Sequence, residues 1–231
     1  MQPDVVVFLV SQPYVSGRRL KALEAGLAGG LDLPSRLVRL EGTGPGLAAT
    51  LDALAAEGFR TVLVQPVGVP FPESLARWLP GALGHWLARY GGADMRVALA
   101  ADQVGDDTVI GQIARRAVAT ARDAKPVAMD EGGADGAGWD EVPVFRHHLL
   151  VCTGPRCHFR EAGVLKGLLA AELANAGIAR ECLVATTGCL FPCNRGPVVA
   201  HYPAGRWYRL AEPADVVRFA AALRDGEILS E

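Results

Sequence analysis

The chain has 231 residues, half of them apolar, and a formal net charge of −2. That length suits one large or two ordinary domains with real cores, and the charge balance excludes a basic nucleic-acid surface. The longest unbroken apolar run, Val5 to Val10, is far short of a membrane span.

No basic leader precedes that run and Asp4 interrupts what might otherwise be a signal core, so a soluble, cytoplasmic protein is expected. The first part alternates strand and helix patterns. Asp4 to Val10 reads as a buried parallel strand. Leu20, Leu23 and Leu27 mark a helix that stops at Gly29-Gly30. Ser35 to Leu40 is a second strand, and Leu47, Leu51 and Leu54 a second helix closed by Gly58. Thr61 to Val67, Pro72 to Tyr90 (with a bend expected at Pro80), Met95 to Ala100 and Asp106 to Arg122 complete four βα units. Such a succession implies a parallel α/β sheet with right-handed crossovers.

Residues 129–141 are Gly-rich and acidic, without periodicity, and read as a linker. The expected division is a first domain over 1–125, a linker over 126–146 and a second domain over 147–231. In the second domain the expected order is strand (148–152), helix (161–176), strand (181–186), a hairpin about Pro203-Ala204-Gly205, and a closing helix from Pro213 to Leu223. That β-α-β-β-β-α order fits a small thioredoxin-like sheet.

Four of the five cysteines stand in two short-spaced pairs, Cys152 with Cys157 and Cys189 with Cys193. Each pair follows an apolar strand, so two loops offering two thiols each can converge on one metal centre. In a reducing compartment such pairs serve metal or redox chemistry more often than structural disulfides. A two-iron, two-sulfide cluster needs four cysteines. Structural zinc also takes four, though its pairs are more often two apart. A dithiol exchange enzyme would want C-x-x-C at a helix start, which is absent. Gly154, Gly188 and Gly196 are expected to let the loops approach closely, Pro155, Pro192 and Pro197 to stiffen them, and Arg156 and Arg195 to offset thiolate charge. Cys182 reads as a small hydrophobe on a strand. His158 reads as a loop residue, His147, His148 and His201 as surface residues, and either Trp207 or Tyr208 should face the core.

The Cys152/Cys157 and Cys189/Cys193 spacings, the helix between them and the Gly196-Pro197-Val198-Val199 strand start make residues 148–224 resemble the thioredoxin-like two-iron ferredoxins. The related iron–sulfur subunit of NADH:quinone oxidoreductase shares these features. That resemblance implies that Cys152, Cys157, Cys189 and Cys193 ligate a [2Fe-2S] cluster and that the protein moves single electrons, with Cys182 outside the ligand set.

Residues 4–122 resemble the small sirohydrochlorin cobaltochelatases. The likeness lies in the strand Val5 to Val10, the strand end Arg39-Leu40-Glu41, the helix Leu47 to Glu57 and the stretch Thr61 to Pro66 leading into Leu79-Pro80. The two histidines that the resemblance calls for fall at Ser11-Gln12-Pro13 and near Ser74, and Glu41 takes the acidic position. His85 reads as a helix-face residue. A chelatase-like domain that has lost metal insertion is therefore expected. Trp78, Trp86, Phe71 and Tyr90 read as helix-to-sheet packing, with a macrocycle-covering surface as the alternative. Pairing of single copies in that family implies a homodimer through the first domain.

The expected function is a one-electron carrier, more than a catalyst, linked to cobalamin or tetrapyrrole metabolism. Its partner would be a redox protein or a corrinoid- or tetrapyrrole-linked acceptor. Two alternatives stay open: a metal chelatase with a regulatory or structural cluster, and a corrinoid-binding module.

Overall fold

The computed structural model describes residues 2–12, 14–42, 44–89, 95–120, 124–125 and 141–227. The linker expected over 126–146 lies for the most part outside these residues, as does Tyr90.

The first unit is built on β1 (Val5–Val10), β2 (Ser35–Arg39), β3 (Thr61–Pro66) and β4 (Arg96–Leu99), all parallel in the order β2-β1-β3-β4. Every residue of β1 is buried, as a central strand covered on both faces requires. The helices are α1 (Gly17–Ala28), α2 (Leu47–Ala56), α3 (Glu73–Arg89) and α4 (Asp107–Thr120). Leu47, Leu51 and Leu54 turn one face of α2 into the core, where Leu79, Leu83 and Trp86 of α3 meet them. Trp86 donates its indole N–H to Asp52 at 2.9 Å, so its one polar atom is satisfied. Phe71 is buried in the same core; of the described aromatics singled out above, only Trp78 lies at its edge.

The second unit comprises β5 (His147–Cys152), α5 (Pro155–His158), α6 (Ala162–Asn175), β6 (Cys182–Thr187), β7 (Val198–Tyr202), β8 (Arg206–Arg209) and α7 (Pro213–Asp225). Its sheet order is β6-β5-β7-β8. β5 and β6 are parallel, while β7 and β8 run antiparallel. This is the thioredoxin-like arrangement expected, a βαβ unit followed by a hairpin and a helix. Leu149, Val151, Leu165, Leu169, Leu173, Val216 and Phe219 form its core. A capping box between Glu212 and Asp215, with Pro213 in the first turn, starts α7.

Two expectations need correction. β5 begins at His147, so His147 faces inward with Leu149 and Val151. Diagonally across the sheet, His201, which stands opposite Leu149, is buried too, and His147 Nδ1 lies 2.9 Å from His201 Nε2. Neither is a surface residue; His148 is half-buried and faces the other way. His158 is also no loop-surface residue, being 1 % exposed. Tyr208 faces the second unit's core, as one of this pair is expected to, while Trp207 is half-buried on the cysteine side of the sheet. His85 is exposed on α3, as expected. Among the described residues no helix is long and apolar enough to cross a membrane.

Candidate metal centre

Cys152 ends β5, and Cys152 stands in register with Thr187, the last residue of β6. Because these neighbouring strands are parallel, both cysteine loops leave the sheet at one edge. Thr153 ties them together, its N–H and hydroxyl both donating to the Thr187 carbonyl at 3.0 and 2.9 Å. Pro155 opens α5 with its fixed φ, and this single turn folds Cys157 back toward Cys152. The turn is too short to leave a periodic signal in the sequence. The second loop runs from Gly188 through Phe191, which sits at φ 88, to a short 3₁₀ turn at Cys193–Arg195.

Cys152 and Cys157 are buried, Cys189 is exposed and Cys193 half-buried. Val198, Ala162, Leu190 and Trp207 cover the buried pair. Cys189 Sγ and Cys193 Sγ are 3.5 Å apart. Backbone N–H groups point at sulfur: Leu190 donates to Cys152 at 3.5 Å and Phe191 to Cys189 at 3.4 Å. Arg156 Nη1 lies 3.9 Å from Cys193 Sγ. A hydrogen bond from the Cys157 thiol lowers the Cys152 pKa to about 6, helped by backbone N–H donors against the opposing effect of burial. The same bond, with burial, pushes Cys157 up.

Gly196 and Gly154 permit the close approach. A Cβ on Gly196 would meet Cys157 Sγ at 2.6 Å, and one on Gly154 would meet the Cys189 Cα at 2.9 Å. Gly188, expected to do the same, has open space around it. Among the described residues no three His, Cys, Asp or Glu side chains close on one point as a single ion requires. Four cysteine sulfurs offered by two loops are the donor set that a two-iron cluster takes, two thiolates at each iron.

The four cysteines line a cleft of about 820 Å³ between the two units. Its opposite wall comes from the carboxyl ends of the first sheet, with Ser11 after β1 and Glu41 beyond β2, and from Ser74 and Leu75 in the first turn of α3. Open α/β sheets place ligands at such strand ends. Ser11 donates its hydroxyl to Glu41 at 2.9 Å. Cys182 and His85 are absent from the lining; Cys182 packs on the second unit's core, where burial pushes its thiol up.

The two units also meet along a seam that local sequence patterns do not reveal. Gly42 N–H donates to the Thr153 carbonyl at 3.2 Å. The Trp78 and Phe159 rings meet edge-on, 5.7 Å between centroids. His158 lies in this seam with both ring nitrogens unpartnered, and burial, assisted by the Arg39 charge, lowers its pKa to about 4. A neutral imidazole adjoining Cys157 could have been suspected only from the apolar surroundings the fold supplies.

No known family model matches the chain. Its C-terminal part is similar to the 2Fe-2S ferredoxin of Clostridium pasteurianum, at 29% identity over 93 residues, which span 36% of this chain and 91% of that protein. Among solved structures, the thioredoxin-like [2Fe-2S] ferredoxin from Aquifex aeolicus matches at 26% identity and TM-score 0.33, over 36% of this chain and 91% of its own. A putative cobalamin biosynthesis CbiX protein from Marinobacter aquaeolei matches at 17% identity and TM-score 0.43, over 53% of this chain and 97% of its own. The ferredoxin likeness expected from the cysteine spacings is met by these relatives.

Proposed function

We propose that the chain is a one-electron carrier whose [2Fe-2S] cluster is held by Cys152, Cys157, Cys189 and Cys193, and whose acceptor belongs to cobalamin or tetrapyrrole chemistry. The observation that carries the reading is the delivery of two thiol pairs, from neighbouring parallel strand ends, to one wall of a cleft. A bound cluster would supply reversible one-electron chemistry, taking an electron from a reduced donor and passing it to an acceptor. The chain's own residues do the rest. Leu190 and Phe191 offer N–H groups to sulfur, Trp207 and Leu190 exclude water from the buried pair, and Arg156 sets a positive charge beside Cys193.

The link to tetrapyrrole chemistry is supported by the sequence resemblance of residues 4–122 and by the cleft, which brings Ser11, Glu41 and Ser74 to face the thiols. Among the described residues no histidine lines the cleft, so metal insertion there lacks the imidazoles that would hold a divalent ion. The acceptor is then a corrinoid- or tetrapyrrole-linked partner or a redox protein reaching the cleft. The proposed division is a chelatase-like domain over 1–125, a linker over 126–146 and a ferredoxin domain over 147–231, placed in the cytoplasm because exposed thiols persist in a reducing compartment.

Anaerobically purified protein is expected to contain about two iron and two sulfide per chain, to bleach with dithionite and to develop a paramagnetic signal on reduction. Cys189→Ser should lose or badly perturb that spectrum while Cys182→Ser leaves it unchanged. Colourless protein with stoichiometric zinc would end the reading.

A further inference from the structure

Arg156 touches both units at once. It lies on α5 between Cys152 and Cys157, with Nη1 3.9 Å from Cys193 Sγ. Its guanidinium carbon stands 5.9 Å from the centroid of the Trp78 ring, on α3 of the first unit. Trp78 is itself fixed edge-on by Phe159, with the two ring planes at 86°. A planar guanidinium can stack on an aromatic face while its edge N–H groups still point at an anion. An exposed arginine without such a platform spreads over many rotamers.

We propose that Trp78 is a positioning residue of the electron carrier, holding Arg156 against Cys193 so that the first unit sets the reduction potential of a cluster bound by the second. The inference rests on the cluster reading above. Four thiolates make an oxidised two-iron cluster a dianion and a reduced one a trianion, so a cation fixed beside a ligand sulfur favours the reduced state and raises the potential. Arg156 acts on the sulfur directly; Trp78 acts only through Arg156. Arg160, the neighbouring cation, donates instead to the Cys193 carbonyl oxygen, so it does not substitute for Arg156 at the thiolate. The chelatase-like unit, without metal-holding histidines in the cleft, thereby keeps a part in the chemistry.

The test is a dithionite redox titration of the full-length protein, followed by absorbance and by the paramagnetic signal, with iron and sulfide counted for each variant. Arg156→Gln and Trp78→Leu should both lower the midpoint potential at unchanged iron content, Trp78→Leu by less. The double variant should match Arg156→Gln alone, and Trp78→Phe, which restores a ring face, should recover most of the wild-type value. A Trp78→Leu protein at the wild-type potential, or a double variant whose shift is the sum of the two single shifts, would overturn the proposal. Loss of iron from Trp78→Leu would do so as well, since the ring would then support the fold alone. Wild-type protein without a cluster would refute the underlying reading before any variant is compared, so the two failures are separable.

Discussion

At Gly196 the absence of a side chain keeps a thiol in place. The backbone there has φ −67 and ψ 158, which any residue can adopt. The space is the constraint: an added Cβ would stand 2.6 Å from Cys157 Sγ and 3.2 Å from the Cys193 carbonyl. Both neighbours belong to the proposed ligand set, and Cys157 is buried with little room to retreat. Gly196→Ala is therefore expected to displace Cys157 and to reduce iron and sulfide per chain, with an altered visible spectrum. Gly188→Ala, one residue before Cys189 and with open space around it, should leave both unchanged. Equal iron content in the two variants would show that the loop accommodates the methyl group and that Gly196 is not a packing requirement.

Strand β5 shows how one residue of register changes the chemistry of an element. The sequence pattern starts the strand at His148 and reads His147 and His148 as surface residues, although alternation carried one residue further puts His147 on the Leu149 and Val151 face. The structure starts one residue earlier, and His147 pairs with His201 of β7 inside the second unit, beside Tyr208 and Phe219. Burial lowers both histidine pKa values below 6.5; Arg146 lowers His147 further while Glu181 partly opposes it, and the His147 ring disfavours charge on His201. The unfolded chain therefore binds these protons first, so stability falls as pH drops below 6.5 and is regained as pH rises. Replacing both partners by apolar residues of similar shape is close to neutral when neither is charged. The double variant His147→Leu/His201→Phe should match the wild-type melting temperature at about pH 7.5 and lose less of it by about pH 5.5. Parallel losses in the two proteins would rule the pair out as an acid-sensitive element. The strong periodic elements were all legible in the sequence: the four βα units, the second sheet and both cysteine pairs. Short or non-periodic features were not. The α5 turn is four residues long, and a buried histidine looks the same as an exposed one until its cross-strand partner is known.

At the scale of the whole molecule the two units meet along a seam built from backbone as well as side chains. No local pattern could have announced it, since Gly46 meets residues more than a hundred positions away. Its N–H points at Glu161 Oε2 at 3.5 Å, and a Cβ there would lie 2.5 Å from the His158 carbonyl oxygen and 3.2 Å from Glu161 Oε1. Gly46 has φ −84, so alanine is conformationally acceptable and only the contact resists it. A carbonyl oxygen cannot swing aside as a side-chain tip would; the units must move apart or the cleft must widen. Gly46→Ala is expected to cost about 1–3 kcal/mol, the usual range for overpacking, and to act on the seam rather than on either core. Tryptophan emission, to which Trp78 in the seam contributes, should shift to the red, and the radius of gyration from small-angle scattering should rise. The Arg156-dependent component of the midpoint potential should shrink, while iron per chain stays at the wild-type level. Gly26→Ala, on the open face of α1 with nothing near its added methyl, supplies the control and should be neutral or slightly stabilising, because alanine favours helix over glycine. A Gly46→Ala protein with unchanged emission, size and potential would mean that the contact between the units does not govern the cleft, and that each sheet carries its half of the site alone.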